Sequence, residues 1–230
     1  MRTGEKVVKM LLNGLLVVWS SWLLAQSPAP SGAGADPAWN EIKGEKLLAL
    51  RLKGDPARGA EAFEICQGCH KSGATGSISG VYPRLAGQHA TVLIEQIVDI
   101  RSSRRSNPKM KPFAHEQIVS PQEIADIAAY LQALPIPPNL GKGPGTALAR
   151  GKELYARDCA TCHGDRGEGN GEKFFPLVAG QHYKYLLRES RLIRDGERGN
   201  ANPDMVKVIK SYTDEDLEAV ADYMAGLAPP

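Results

Sequence analysis

The chain has 230 residues, 42% of them apolar and 23% charged, which excludes a multispanning membrane protein and a wholly disordered one and leaves room for two domains of ordinary size. Aromatics make up only 6% and no Trp follows Trp39, so the cores are filled by small aliphatic side chains or by a bulky group that is not a side chain. The formal charge of +2 resides in the first 25 residues, where Arg2, Lys6 and Lys9 oppose Glu5; the balanced remainder lacks the basic excess that nucleic-acid phosphates demand.

Residues 1–25 pair those basic residues with a mostly apolar stretch from Met10 to Ala25. It is shorter than the roughly 20 residues of a spanning helix, and reads as a secretory signal or an uncleaved anchor. Export implies a periplasmic setting, with membrane association if the segment stays. Residues 26–54 form an extension, rich in Pro, Ala, Gly and Ser up to residue 40, with a short helix predicted over Leu47–Leu52.

From residue 55 onward the chain repeats itself. Cys66-Gln-Gly-Cys69-His70 returns as Cys159-Ala-Thr-Cys162-His163, Tyr82–His89 as Phe175–His182, Asn107-Pro-Lys-Met110 as Asn202-Pro-Asp-Met205, and Ser120–Leu134 as Thr213–Leu227. Residues 55–134 are one copy, 147–230 the other, and the Pro/Gly-rich 135–146 a linker that no helix can cross. Each copy is predicted all-α. Asp55-Pro56 opens the first helix as N-cap and Pro at N1, periodic apolar runs follow Gln88 and Gln181, and Ser120-Pro-Gln-Glu123 and Thr213-Asp-Glu-Asp216 open the last helices. Glycine-rich loops join these helices.

Four cysteines in an exported chain ordinarily suggest disulfides. A His after the second Cys of each CxxC changes that reading. Two thiols three residues apart add to the two vinyl groups of one haem, and the next His is placed to bind its iron. Cys66 and Cys69, and Cys159 and Cys162, are the expected attachment points of two haem c groups, with His70 and His163 as proximal ligands. Zinc would need a fourth ligand that the pentapeptide lacks, and a thioredoxin-like pair would need a βαβ context. A thioether is the natural sixth ligand of a high-potential carrier. Of the five methionines, Met1 and Met10 lie in the export segment and Met224 on an apolar helix face; Met110 and Met205, each in a repeated Asn-Pro-x-Met loop, are the expected distal ligands.

Each copy resembles a class I cytochrome c, and their tandem arrangement over residues 55–230 resembles the diheme cytochrome c4 family. The resemblance rests on a Gly-x-x-x-aromatic first helix, CxxCH, a Pro 13 residues past the His, a Met further on and a last helix bearing Tyr130 or Tyr223. It implies an all-α protein of two tandem domains, each wrapped around one covalently attached haem, with Gly59 and Gly151 letting the first helix cross closely over the last. It also implies that the carbonyls of Pro83 and Pro176 accept the proximal imidazole N–H. For the haem propionates the repeated polar pairs Gln88/Gln181 and Arg101/Arg194 are the candidates, with His89/His182 beside them. The expected function is a periplasmic carrier of single electrons between respiratory-chain partners, a membrane oxidase, a quinol-oxidising complex or a dehydrogenase among them. The alternative is the electron-accepting subunit of a dehydrogenase complex. A haem enzyme of the peroxidase type would need an open iron position, which two distal methionines close. The run Arg101, Arg104, Arg105 reads as a solvated loop or a docking patch.

Overall fold

A computed structural model describes residues 39–138 and 141–230; the signal or anchor read over residues 1–25 lies outside the described residues. Among the described residues ten α-helices carry the fold, with no strand beyond one isolated bridge between Asn170 and Phe175. The extension supplies α1 (Gly44–Arg51). The first copy supplies α2 (Pro56–Ala62), α3 (Gln67–His70), α4 (Ala90–Arg101) and α5 (Pro121–Ala133). The second supplies α6 (Leu148–Leu154), α7 (Ala160–His163), α8 (Tyr183–Arg194), α9 (Pro203–Ile209) and α10 (Asp214–Gly226).

The helices start where the cap chemistry puts them. Asp55 accepts from the N–H groups of Ala57 and Arg58, and Ser120 and Glu123 close a reciprocal capping box. Thr213 accepts from the N–H of Asp216. In each domain the first helix crosses the last at a glycine. A Cβ on Gly59 would sit 2.0 Å from the Asp126 carbonyl oxygen, and one on Gly151 2.1 Å from that of Ala219, so no other residue permits the approach. Beside the crossings, Phe63 meets Tyr130 and Tyr155 meets Tyr223 at ring-centroid separations of 5.8 and 5.4 Å. Separate apolar cores form around Phe63, Ile124 and Leu131 and around Tyr155, Leu217 and Met224. Each domain therefore has the means to hold itself together, and among the described residues no helix is long and apolar enough to cross a membrane.

The extension belongs to the folded structure. α1 packs on α4 and α5, and its Lys46, only 3% exposed, reaches Asp99 at 3.2 Å and Glu95 at 3.5 Å. That cation explains why α4 buries two carboxylates, which its apolar periodicity alone would have placed in solvent. The side chain of Trp39 donates to the Asn200 carbonyl in the second domain (3.1 Å), while its own carbonyl accepts from Arg104 in the first (2.7 Å).

The two domains meet through matched polar contacts. Gln88 bonds both backbone groups of Leu177, donating to its carbonyl and accepting its N–H, each at 2.9 Å. Gln181 bonds both groups of Arg84 at the same 2.9 Å. His89 pairs with the Glu168 carbonyl at 2.8 Å, and His182 with that of Thr75 at 2.7 Å. Each contact maps onto its mate under the sequence repeat, so the interface has the self-complementary logic of a two-fold dimer within one chain.

Candidate haem sites

Each CxxCH segment is wound tightly enough to put both thiols and the imidazole on one side of the chain. In the first domain a 3-10 turn, Phe63–Cys66, leads into α3; in the second a wider π-type turn, Tyr155–Cys159, leads into α7. The reason lies in the sequence. Three residues separate Tyr155 from Cys159 where two separate Phe63 from Cys66, and a π-type turn absorbs one extra residue without losing register. The four cysteines are unbridged. Burial pushes the Cys66 thiol up to about 11 and that of Cys159 up to about 12, with nearby Cys69, and Asp158 and Cys162, adding to the effect. Among the described residues no three or more Cys, His, Asp and Glu converge to hold a metal ion by themselves.

His70 and His163 are buried, 8% and 9% exposed. The Nδ1 of His70 lies 3.2 Å from the Pro83 carbonyl and that of His163 3.0 Å from the Pro176 carbonyl. Burial holds both imidazoles below the usual histidine range, against the opposing pull of the carbonyl bond. With Nδ1–H donated, each Nε2 is left as a lone-pair donor, and the carbonyl fixes ring orientation and strengthens that donor. Gly76 and Gly169, at φ +69° and +71°, pass directly under the proline loops, where a Cβ would fall within 2.6 Å of the proline carbonyl oxygen.

At the second CxxCH lies a cavity whose walls include Cys159, Cys162, His163 and Pro176 together with Met205, Val208 and Met224. An apolar slot lined by two thiols, an imidazole and a thioether fits a covalently held haem. Its polar end carries Arg105 from the first domain and Arg198, Asn200 and Tyr185 from the second. Here Arg105 and Arg198 bond Glu189 at 2.9 and 3.0 Å. Burial raises the Glu189 carboxyl, but Arg105 and Arg198, with Arg188 beside them, more than offset it and hold it below the usual range. Arg105 and Arg198 are donors suited to propionate carboxylates, set beside the acidic Glu95 and Glu189 of the same lining.

The two distal segments differ. Asn202 caps α9 by accepting the Asp204 N–H (2.8 Å), with Pro203 at the first helical position, so Met205 stands in the first turn of a helix where a loop was expected. The sequence signal was present, since Asn-Pro is itself a cap followed by Pro at N1. Met110 stands in a succession of turns, its N–H bonded to the Asn107 side chain at 3.2 Å. Met224 lies within the second core and also lines the cavity.

Among the polar pairs, the amides of Gln88 and Gln181 are taken up by the facing domain, as are His89 and His182, although Gln181 also borders the cavity. Arg101 holds the carbonyls of Ala114 and Val119 (the latter at 2.5 Å) and pairs with Glu45. Arg194 bonds the Tyr212 carbonyl at 3.3 Å, together with Asp195 and Asp214. Both arginines tie down the chain between the methionine and the last helix. Arg104 and Arg105 are engaged by Asp99 and Glu189, so the basic run is an internal brace and not a docking patch.

The family model of cytochrome c matches residues 56–135 and again 148–228. The chain belongs to the cytochrome c family. A thiosulfate dehydrogenase electron acceptor from Stutzerimonas stutzeri (strain A1501) is 37% identical over 81% of this chain and 94% of its own length. Cytochrome c4 of Thiocapsa roseopersicina is 32% identical over 76% and 94%. Among solved structures, reduced recombinant cytochrome c4 from Pseudomonas stutzeri superimposes with a TM-score of 0.69 at 27% identity, covering 76% of this chain and all of that one. The chain is thus a diheme, cytochrome c4-like member of the family, all-α with two tandem domains and a covalent haem c in each. It is an electron carrier and not itself an enzyme.

Proposed function

We propose that this cytochrome works in the periplasm, exported by residues 1–25, as a carrier passing single electrons between respiratory-chain partners. His70 with Met110, and His163 with Met205, would be the protein ligands that hold the two irons. The observation that carries this reading is the cavity of the second domain, where His163, held by the Pro176 carbonyl, and Met205 share one apolar slot. A thioether opposite a well-oriented imidazole favours ferrous iron and closes the site to substrate. Arg105 and Arg198 serve the propionates of the second haem, while Gln88 and Gln181 clamp the domains. Bound haem supplies the one-electron couple; the protein supplies burial, ligands and hydrogen bonds.

A second reading is favoured by the 37% identical thiosulfate dehydrogenase electron acceptor: the chain accepts electrons as a lasting subunit of a dehydrogenase. Gel filtration of native extract separates the two. A free carrier elutes at the size of one small protein, and a subunit elutes with its dehydrogenase. Reduced protein that binds carbon monoxide rapidly at either haem contradicts the axial assignment in both.

A further inference from the structure

Arg84 is the place where the two-fold logic of the interface breaks. Under the repeat it corresponds to Leu177, and the main chains of the two residues do the same work, each bonded at N–H and carbonyl by the glutamine of the other domain. Their side chains do not. Arg84 is only 1% exposed, and its guanidinium donates to the carbonyls of Ala86 in its own domain and Ala179 in the other, the latter at 2.9 Å. Its acceptors are carbonyl oxygens; no carboxylate is among them. Burial alone pushes its pKa down, to about 10, which still leaves it charged at neutral pH.

Burying a cation without an anionic partner is costly, and the matching clamp on Leu177 needs no polar side chain from the residue it holds. The position suggests what the cost serves. Arg84 directly follows Pro83, whose carbonyl holds His70, and Ala179 lies three residues beyond Pro176, whose carbonyl holds His163. The charge therefore sits between the two proximal loops, inside protein where its field is weakly screened. When a haem gives its electron to a partner redox protein, ferrous iron becomes ferric and the site gains one positive charge. A fixed cation nearby opposes that gain.

We propose that Arg84 is a potential-setting residue shared by both haems, a buried charge at the domain boundary that favours the ferrous state of each and so raises both midpoint potentials. The inference rests on a haem in each domain with His70 and His163 as proximal ligands. It assigns the domain interface an electrostatic role besides holding the domains together.

The test is a haem-resolved redox titration, at pH 6, of the purified diheme protein and of Arg84→Lys, Arg84→Gln and Arg84→Met. Haem content and protection of the Leu177 amide from hydrogen exchange are measured alongside, to show that both haems are attached and the domains remain docked. The neutral Gln and Met variants should shift both potentials downward together, and the Lys variant should stay near wild type. If Gln stays near wild type while Lys falls, hydrogen bonding and not charge is in control, and the proposal is overturned. Unchanged potentials in every docked variant overturn it equally, since they mean that the charge is already neutralised at the haems. A wild-type protein without two covalent haems would instead remove the reading beneath it.

Discussion

Truncating Gln181 to Ala removes the clamp on Arg84 while leaving both apolar cores untouched. The amide is 4% exposed and satisfies both backbone groups of Arg84 at 2.9 Å. Its loss strands the buried N–H and carbonyl of Arg84, at about 1 to 3 kcal/mol each, besides the His182 N–H that the same oxygen accepts within its own domain. Allowing for partial hydration, docking of the domains should weaken by about 2 to 4 kcal/mol, which is roughly a 30-fold to several-hundred-fold loss in the docked-to-undocked ratio. Gln88→Ala should cost a similar amount through Leu177, because the geometry is matched. Amide hydrogen exchange reads this directly, since the N–H groups of Arg84 and Leu177 each have a glutamine of the other domain as acceptor. If the interface opens as one unit, Gln181→Ala accelerates exchange at Leu177 as well as at Arg84, while amides inside α5 and α10 keep their protection. Unchanged protection at Arg84 would refute the clamp, and unchanged protection at Leu177 would refute a cooperative interface.

Met110→His should lower the potential of the first haem only, and Met205→His that of the second only, because imidazole favours ferric iron more than a thioether does; a haem-resolved titration shows which one moves. Met224→Leu should move neither. Gly151→Ala should destabilise the second domain by about 1 to 3 kcal/mol through overpacking against Ala219, despite the ~1 kcal/mol that Ala gains in helix propensity; denaturant unfolding followed in the haem absorbance measures it, and equal or greater stability contradicts the close crossing. In the first domain, Asp126 is raised by burial but lowered further by Arg58, the Asp55 N–H and Gln122, so its folded pKa lies below the ordinary value. Its contribution is therefore present above about pH 4, the unfolded value, and is lost as pH falls through the folded one. Asp126→Asn should flatten the acid limb of the stability profile, and an unaltered limb argues against the Arg58–Asp126 pair.

Much of the site could be read from the chain because covalent chemistry fixes residue type and spacing together. CxxCH, the proline 13 residues on and the glycines at the crossings are dictated by geometry within one domain, so a repeat comparison exposes them. Contacts between the copies were less legible. Gln88, Gln181, His89 and His182 stood out as repeated polar residues, but repetition alone does not distinguish a group that faces a cofactor from one that faces the other copy. Arg105 and Arg198 correspond under the repeat at the same spacing of 93, yet the sequence does not show that both line the second cavity, since Arg105 reaches it from the first domain. Lys46 was not legible for a related reason: its carboxylate partners Glu95 and Asp99 lie about 50 residues downstream. The Asn-Pro cap ahead of Met205 is present in the sequence, but the same dipeptide before Met110 opens turns and no helix, so the motif alone does not decide between them.

The measurement that bears most directly on the account is a potentiometric titration of the purified protein followed by optical and near-infrared spectra. The account predicts two covalent haems, each passing through one one-electron step, low-spin and six-coordinate in both oxidation states, with a sulfur-to-iron band in the oxidised protein. A high-spin, five-coordinate component at either haem, or the absence of that sulfur band, would contradict it.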